Sequence, residues 1–220
     1  VASAAKLCYS NAKDVDTLMN DLTPEKTEKF IEHLISMGHG SPFEHCGFVF
    51  AIEGVSRALS HQLVRHRHSH YSQQSQRYCF MGKFEYVTPP TIDKNHDAVK
   101  VFKDIMDRDQ EAYDKLIEMG VPKEDARFVL PNACATRLIY SANLREIWNT
   151  AKLRCCNHAQ WEIRQMYWLI IEEARKVAPL LFKHAGPSCV ANGYCPEGDR
   201  SCGMAPTMKE LLDAYERTKY

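Results

Sequence analysis

Apolar positions recur mostly at helical spacing along the chain, with one clear alternation. Phe30, Ile31, Leu34 and Ile35 form a stripe, and Thr23 followed by Pro24 predicts the N-cap and first position of their helix. Gly38 and Gly40 close it. In Phe48-Val49-Phe50-Ala51-Ile52 the alternation predicts a strand with Phe48, Phe50 and Ile52 on one face. Val55, Leu59 and Leu63 then recur every fourth residue, which predicts a second helix starting there. Val99, Phe102, Ile105, Met106, Tyr113, Leu116 and Ile117 describe one long amphipathic helix that Gly120 ends. Pro122 opens a short helix and Pro131 stops it. The longest stripe is Ile163, Tyr167, Ile170, Ala174, Val177 and Leu181, with Pro179 placed to end or kink it. Met208 to Tyr215 gives a weaker last helix. Few strands and several long helices predict an α+β fold, a small antiparallel sheet with long helices around it.

Composition narrows the class. Of 220 residues 45% are hydrophobic and 25% charged, the mix of a globular chain. The 28 basic and 28 acidic residues cancel, which argues against a basic nucleic-acid arm or a polyanionic tail. No apolar run reaches the length of about 18 residues that a membrane span needs; Met166–Ile171 is closed by Gln165 and Glu172. Nine cysteines, at 8, 46, 79, 134, 155, 156, 189, 195 and 202, follow no secretory signal and read as free thiols of the cytoplasm. Neither a repeat nor a linker divides the chain. One domain over 1–220 is expected, with an irregular Cys-containing tail from about 186. The chain starts at Val1 rather than Met, which leaves open a trimmed start and a missing first strand.

The segment His61–Tyr78 stands apart. Gln62, Arg65 and His66 fall at i, i+3 and i+4, one face of the helix expected to end here. Beyond it come Ser69, Ser72, Ser75, Gln73, Gln74, Gln76 and Arg77, a stretch too polar for a core between two apolar elements. Three arginines among neutral donors, with no Asp or Glu from Val55 to Lys83, suit a phosphate or another oxyanion. His66, His68 and His70 alternate as metal ligands on a strand do, but the interleaved Arg65 and Arg67 disfavour a cation. A nucleic-acid platform would need more aromatics and a basic chain.

Arg65-His66-Arg67, then Ser75, Arg77 and Tyr78, resembles the signature of the flavin-dependent thymidylate synthases, the ThyX enzymes. Further blocks occur in the family order: Gly38-His39-Gly40-Ser41-Pro42-Phe43-Glu44-His45, Val121-Pro122 through Arg127 to Leu130-Pro131, Ser141-Ala142-Asn143-Leu144-Arg145, and Leu153-Arg154 with His158-Ala159-Gln160-Trp161-Glu162. The resemblance covers roughly 35 to 185. It implies conversion of dUMP to dTMP, with 5,10-methylenetetrahydrofolate as carbon donor and NADPH-reduced FAD as hydride donor. It also implies a homotetramer with sites where subunits meet and no need for a cysteine nucleophile; from the charge, hydropathy and spacing above, no nucleic acid, membrane or metal is expected.

By the same resemblance Ser41, Arg65, His66, Arg67, Gln73, Asn143, Leu144, Arg145 and Asn149 contact FAD. Gln62, Leu63, Val64, Arg65, Gln73, Gln74, Ser75, Gln76, Arg77, Arg127 and Arg154 bind dUMP, with Arg77 and Arg127 on its phosphate. Arg154 stabilises charge on the pyrimidine, since an arginine stays protonated and cannot serve as a base. His39, in a glycine-flanked turn, falls near the flavin ring. Other readings stand beside these: helix capping for the asparagines, an ion pair with Glu146 or Glu162 for Arg154, a surface position for His39. His70, Ser72 and Gln73 depart from many relatives, which carry Ser, Asn and Glu there. In the tail, His184, Cys189, Cys195 and Cys202 allow zinc, a redox disulfide or free thiols, with no Cys-x-x-Cys pair to favour metal. Cys155 and Cys156, adjacent on a predicted helix, point apart.

Overall fold

The computed structural model describes residues 1–20 and 22–217. In chain order its elements are α1 (Ala2–Leu7), α2 (Val15–Asn20), α3 (Pro24–Ser36), β1 (Gly47–Ser56), α4 (Arg57–Leu63), β2 (Ser69–Gln73), α5 (Pro90–Asp93), α6 (His96–Glu118), α7 (Lys123–Ala126), β3 (Ala135–Asn143), α8 (Leu144–Arg154), α9 (Trp161–Val177), α10 (Pro179–Phe182), α11 (Ser188–Asn192) and α12 (Met208–Arg217). The three strands form one antiparallel sheet in the order β1-β3-β2, the α+β architecture that the sequence predicts. The chain divides into two compact units, Val1–Phe48 with Ala142–Tyr220, and Val49–Ser141.

The first unit is helical. Thr23 accepts from the Lys26 amide at 3.4 Å and starts α3, whose Ile31 and Leu34 are buried. Gln160 accepts from the amides of Glu162 and Ile163 to start α9, and Ile163, Tyr167, Ile170 and Ala174 bury its stripe. The stripe stops earlier than the spacing predicts. Val177 is 75% exposed, and Pro179 opens a separate helix that carries Leu181. Arg175 ties the end of α9 to that helix by donating to the carbonyls of Phe182 and Ala185. The preceding helix, α8, ends at Arg154, so Cys155 caps it and is buried, while Cys156 lies beyond it and half-buried.

Phe48–Ile52 proves to be part of a longer strand, Gly47–Ser56, which belongs to the second unit from Val49 on. Phe50 and Ile52 alternate with exposed neighbours, and the strand runs on through Val55. The helix predicted from Val55 therefore begins later, at Arg57, because the Ser56 hydroxyl accepts from the Leu59 amide at 3.0 Å and fixes its start. Leu59 and Leu63 are fully buried. This helix ends at Leu63, so Arg65 and His66 occupy a turn instead of sharing its face with Gln62. The polar stretch then forms β2, a strand without apolar alternation. Tyr71 secures it, stacking on Tyr140 at 5.6 Å while its hydroxyl donates to the carbonyls of Leu63 and His66. Met106 of α6 packs with Phe84 and Cys134 in a small core, and Tyr113 of the same helix is fully buried.

Two strand-to-helix junctions have the same construction. Ser56 is the last residue of β1 and the cap of α4; Asn143 is the last residue of β3 and the cap of α8. No loop residue separates strand from helix at either point.

Candidate functional site

The glycine-flanked turn and the face of α8 enclose a cavity of about 340 Å³ in the first unit. His39, Arg145 and Asn149 line it together, three of the residues singled out in the sequence. Arg145 and Asn149 lie four apart on α8, hence on one face. The Arg145 guanidinium forms an ion pair with Glu44 and lies against Gly40, where a Cβ would stand 3.1 Å from its Nε. Gly38 has φ +69°, a conformation that only glycine adopts freely, and a Cβ there would meet nothing within 4 Å. Phe43 and Trp148, with ring centroids 4.7 Å apart, supply an aromatic wall; the Trp148 indole donates to the Leu181 carbonyl at 3.0 Å.

Ser41, Asn143, Leu144 and Arg154 belong to this unit without lining the cavity. Ser41 opens a 3-10 turn over Ser41–His45. Asn143 is a cap, accepting from the Glu146 amide at 2.9 Å, which leaves its amide group as donor. Leu144 is fully buried and its N–H is spent on the Cys46 carbonyl at 2.7 Å. Arg154 is the last, half-buried residue of α8.

The second unit gathers the other arginines. Arg77 and Arg127 converge on α7: Arg77 Nε and Nη2 reach the Glu124 carboxylate at 3.0 and 2.9 Å, and Arg127 Nε donates to the Glu124 carbonyl at 3.0 Å. The segment around Arg77 has no carboxylate near it in sequence, yet the fold supplies one. Ser75 accepts from the Arg77 amide at 3.2 Å. Gln73 and Gln76 point their amides inward, to the Thr136 hydroxyl at 3.2 Å and the Cys134 sulfur at 3.6 Å. Gln74 pairs by its N–H with the Arg137 carbonyl. Arg65 and Arg67 are exposed, His66 and Gln62 half-buried, Val64 exposed and Leu63 fully buried.

Arg57, unmarked in the sequence, also enters this group, reaching the Gln74 carbonyl at 3.5 Å. Burial lowers its pKa, an effect that Cys134 opposes and Arg127 reinforces. Burial likewise pushes the Cys134 thiol up, against the Gln76 hydrogen bond and the Arg57 charge. Lys152 and Asn192 line the cavity without having been singled out, and so does His184, which the sequence offered only as a zinc ligand. Lys152 follows Asn149 by three positions and Arg145 by seven, a helical spacing that marks it; His184 and Asn192 carry no such signal.

Of the three histidines that alternate before Tyr71, only His70 lies on β2. Among the described residues no group of three His, Cys, Asp or Glu side chains is placed to hold a metal, and no helix is long and apolar enough to cross a membrane.

The model of the thymidylate synthase complementing protein family matches residues 1–180. A flavin-dependent thymidylate synthase of Clostridium tetani is 50% identical over 227 residues, covering 96% of this chain and 90% of the relative. One of Geobacter sulfurreducens is 46% identical, with 96% and 91% covered, and one of Nitratidesulfovibrio vulgaris is 44% identical, with 95% and 91% covered.

Proposed function

The chain belongs to the thymidylate synthase complementing proteins, the flavin-dependent thymidylate synthases, and on that premise we propose how its residues divide the work. It is an enzyme that converts dUMP to dTMP, taking a carbon from 5,10-methylenetetrahydrofolate and a hydride from FAD reduced by NADPH. Identity of 50% across 96% of the chain carries this reading.

The donor set fits FAD. A turn free of side chains at Gly38 and Gly40 lets a ring approach the backbone, and Arg145 and Asn149 offer charge and an amide to a pyrophosphate and its sugars. When bound, FAD supplies the hydride chemistry that no side chain can. Ser41, Asn143 and Leu144 join Arg145 and Asn149 in holding it. Arg65, His66, Arg67 and Gln73 contact it as well. His39 lies beside the flavin ring.

dUMP is held by Gln62, Arg65, Gln73, Gln74, Ser75 and Gln76, with main-chain groups of Leu63 and Val64. Arg77 and Arg127 bind its phosphate; their convergence on α7 supports a shared anion. Arg154 faces the pyrimidine edge and stabilises the charge that develops there.

The chain works as one catalytic domain over 1–220, with an irregular Cys-containing tail from about 186. The assembly is a homotetramer with sites at subunit interfaces. Val49 and Ile139, 71% and 45% exposed on β1 and β3, offer apolar surface for subunit contact, and sedimentation analysis tests it. Nine unpaired thiols support a cytoplasmic location.

An anaerobic visible spectrum of the FAD-loaded protein tests the activity. NADPH bleaches the flavin bands, faster with dUMP present, and dTMP accumulates once methylenetetrahydrofolate is added. Failure to retain FAD, or bleaching without dTMP, overturns the reading.

A further inference from the structure

Two basic side chains of the cavity have no task in the reaction as described. Lys152 stands one turn beyond Asn149 on α8, and His184 lies just after α10; both line the cavity. Lys152 is half-buried, and among the described residues neither side chain makes a hydrogen bond or ion pair. Their neighbours differ in this respect. Arg145 is paired with Glu44, and Lys183 with Glu32 at 3.5 Å.

The rest of the lining sharpens the point. His39, Arg145, Lys152 and His184 line the cavity together, and among the described residues no carboxylate does. Lys152 brings an unpaired positive charge to this lining, and an oxyanion would meet it with a charge-assisted bond. Phe43 and Trp148 give the same cavity an aromatic wall. Basic groups beside an aromatic wall suit a ligand that joins an aromatic ring to an oxyanion. At about 340 Å³ the cavity is at the small end for ligand sites, with room for one end of a cosubstrate but not for a whole dinucleotide.

We propose that Lys152 and His184 form an anion subsite for the oxyanion end of a cosubstrate, beside the residues that hold the flavin. That oxyanion comes either from the glutamyl carboxylates of the folate or from the ribose phosphate of NADPH. The proposal rests on the thymidylate synthase reading and gives the cavity a specific ligand. Lys152 supplies the fixed charge, and His184 donates a ring N–H in either protonation state.

The test uses the full-length, FAD-loaded protein and calorimetric titration, so that it reads binding and not turnover. Lys152→Gln, His184→Gln, their double variant and Lys152→Arg are titrated with NADP+, with NAD+, which lacks the ribose phosphate, and with tetrahydrofolate as mono- and triglutamate. The double variant weakens either NADP+ or the triglutamate by roughly tenfold, the loss of one to two charge-assisted bonds. Its discrimination against NAD+ or the monoglutamate collapses accordingly. Lys152→Arg, which keeps the charge, retains most of the affinity and shows that the site folds. FAD retention and dUMP affinity stay at wild-type values. Unchanged affinity for all four probes overturns the subsite, and so does a parallel loss of FAD, which would give these residues to the flavin. Wild-type dTMP formation is measured alongside: its absence sinks the thymidylate reading, whereas its presence with unchanged affinities sinks the subsite alone.

Discussion

Arg77 meets the carboxylate of Glu124, 47 positions away, through two contacts of 3.0 and 2.9 Å. Both side chains are about half exposed, at 52% and 50%, so the pair contributes at most about 1 kcal/mol to stability. Its larger effect is on charge. Glu124 neutralises one of the two arginines assigned to the dUMP phosphate.

Glu124→Gln is accordingly expected to tighten dUMP by about three- to tenfold at low salt while moving stability by less than about 1 kcal/mol. Titration of dUMP at two ionic strengths reads this, and weaker binding would mean instead that Glu124 positions Arg77. Arg77→Ala should weaken dUMP more than FAD; equal losses would indicate damage to the fold.

Arg154→Ala should abolish turnover and leave the FAD absorbance in place, because its task is to stabilise charge on the pyrimidine. Retained wild-type activity would refute that role. Arg154→Lys restores the charge without the planar fork and should recover only part of the rate.

The turn before β1 separates strain from contact. Gly38→Ala places a side chain at φ +69° in open space, costing about 1–2 kcal/mol of stability with little effect on FAD. Gly40→Ala has no such strain, but its Cβ stands 3.1 Å from Arg145 Nε and displaces that guanidinium. FAD retention should fall several-fold in the second variant with melting unchanged. The reverse pattern would sever Arg145 from flavin binding.

The cysteines divide by environment. Burial pushes the Cys155 thiol up to about 12 from 9.0, with Arg175 opposing, while hydrogen bonds from Met204, then Asn157, lower that of exposed Cys202. Cys202 should be the first thiol that iodoacetamide labels at neutral pH, and Cys155 and Cys134 the last, as read by peptide mass spectrometry. Because the folded Cys155 keeps its proton where the unfolded one loses it, its stabilising effect is complete below pH 9.0. It declines from there to about pH 12, by about 1.4 kcal/mol per pH unit. Cys155→Ala should remove that part of the alkaline slope.

Local signals in the sequence carried the elements that they specify. Thr23-Pro24 marks the start of α3, and Met106 with Tyr113 marks the inward face of α6, because a cap and a stripe act within a few residues. β2 was hidden, since Ser69–Gln73 has no apolar alternation and depends on Tyr71 and Tyr140, far apart in the chain. The same limit governs the site. Arg77 and Arg127 were legible as cations from their motifs, but the Glu124 carboxylate beside Arg77 and the Arg57 guanidinium behind Gln74 arrive only through tertiary folding. At the end of α9, Val177 continued the helical spacing yet lies exposed, since the break at Ala178 and Pro179 takes Leu181 into the next helix.

The two junctions without loops have a consequence for how this chain can vary. With Asn143 ending β3 and capping α8, the rotational phase of that helix is locked to the pleat of the strand. One residue inserted there would turn Arg145, Asn149 and Lys152 about 100° around the helix axis and carry all three off the cavity at once. A similar insertion after Ser56 would turn Gln62 away and take Leu59 and Leu63 out of the core. These two points therefore accept substitutions but not changes of length, so homologous chains should align across both without a gap.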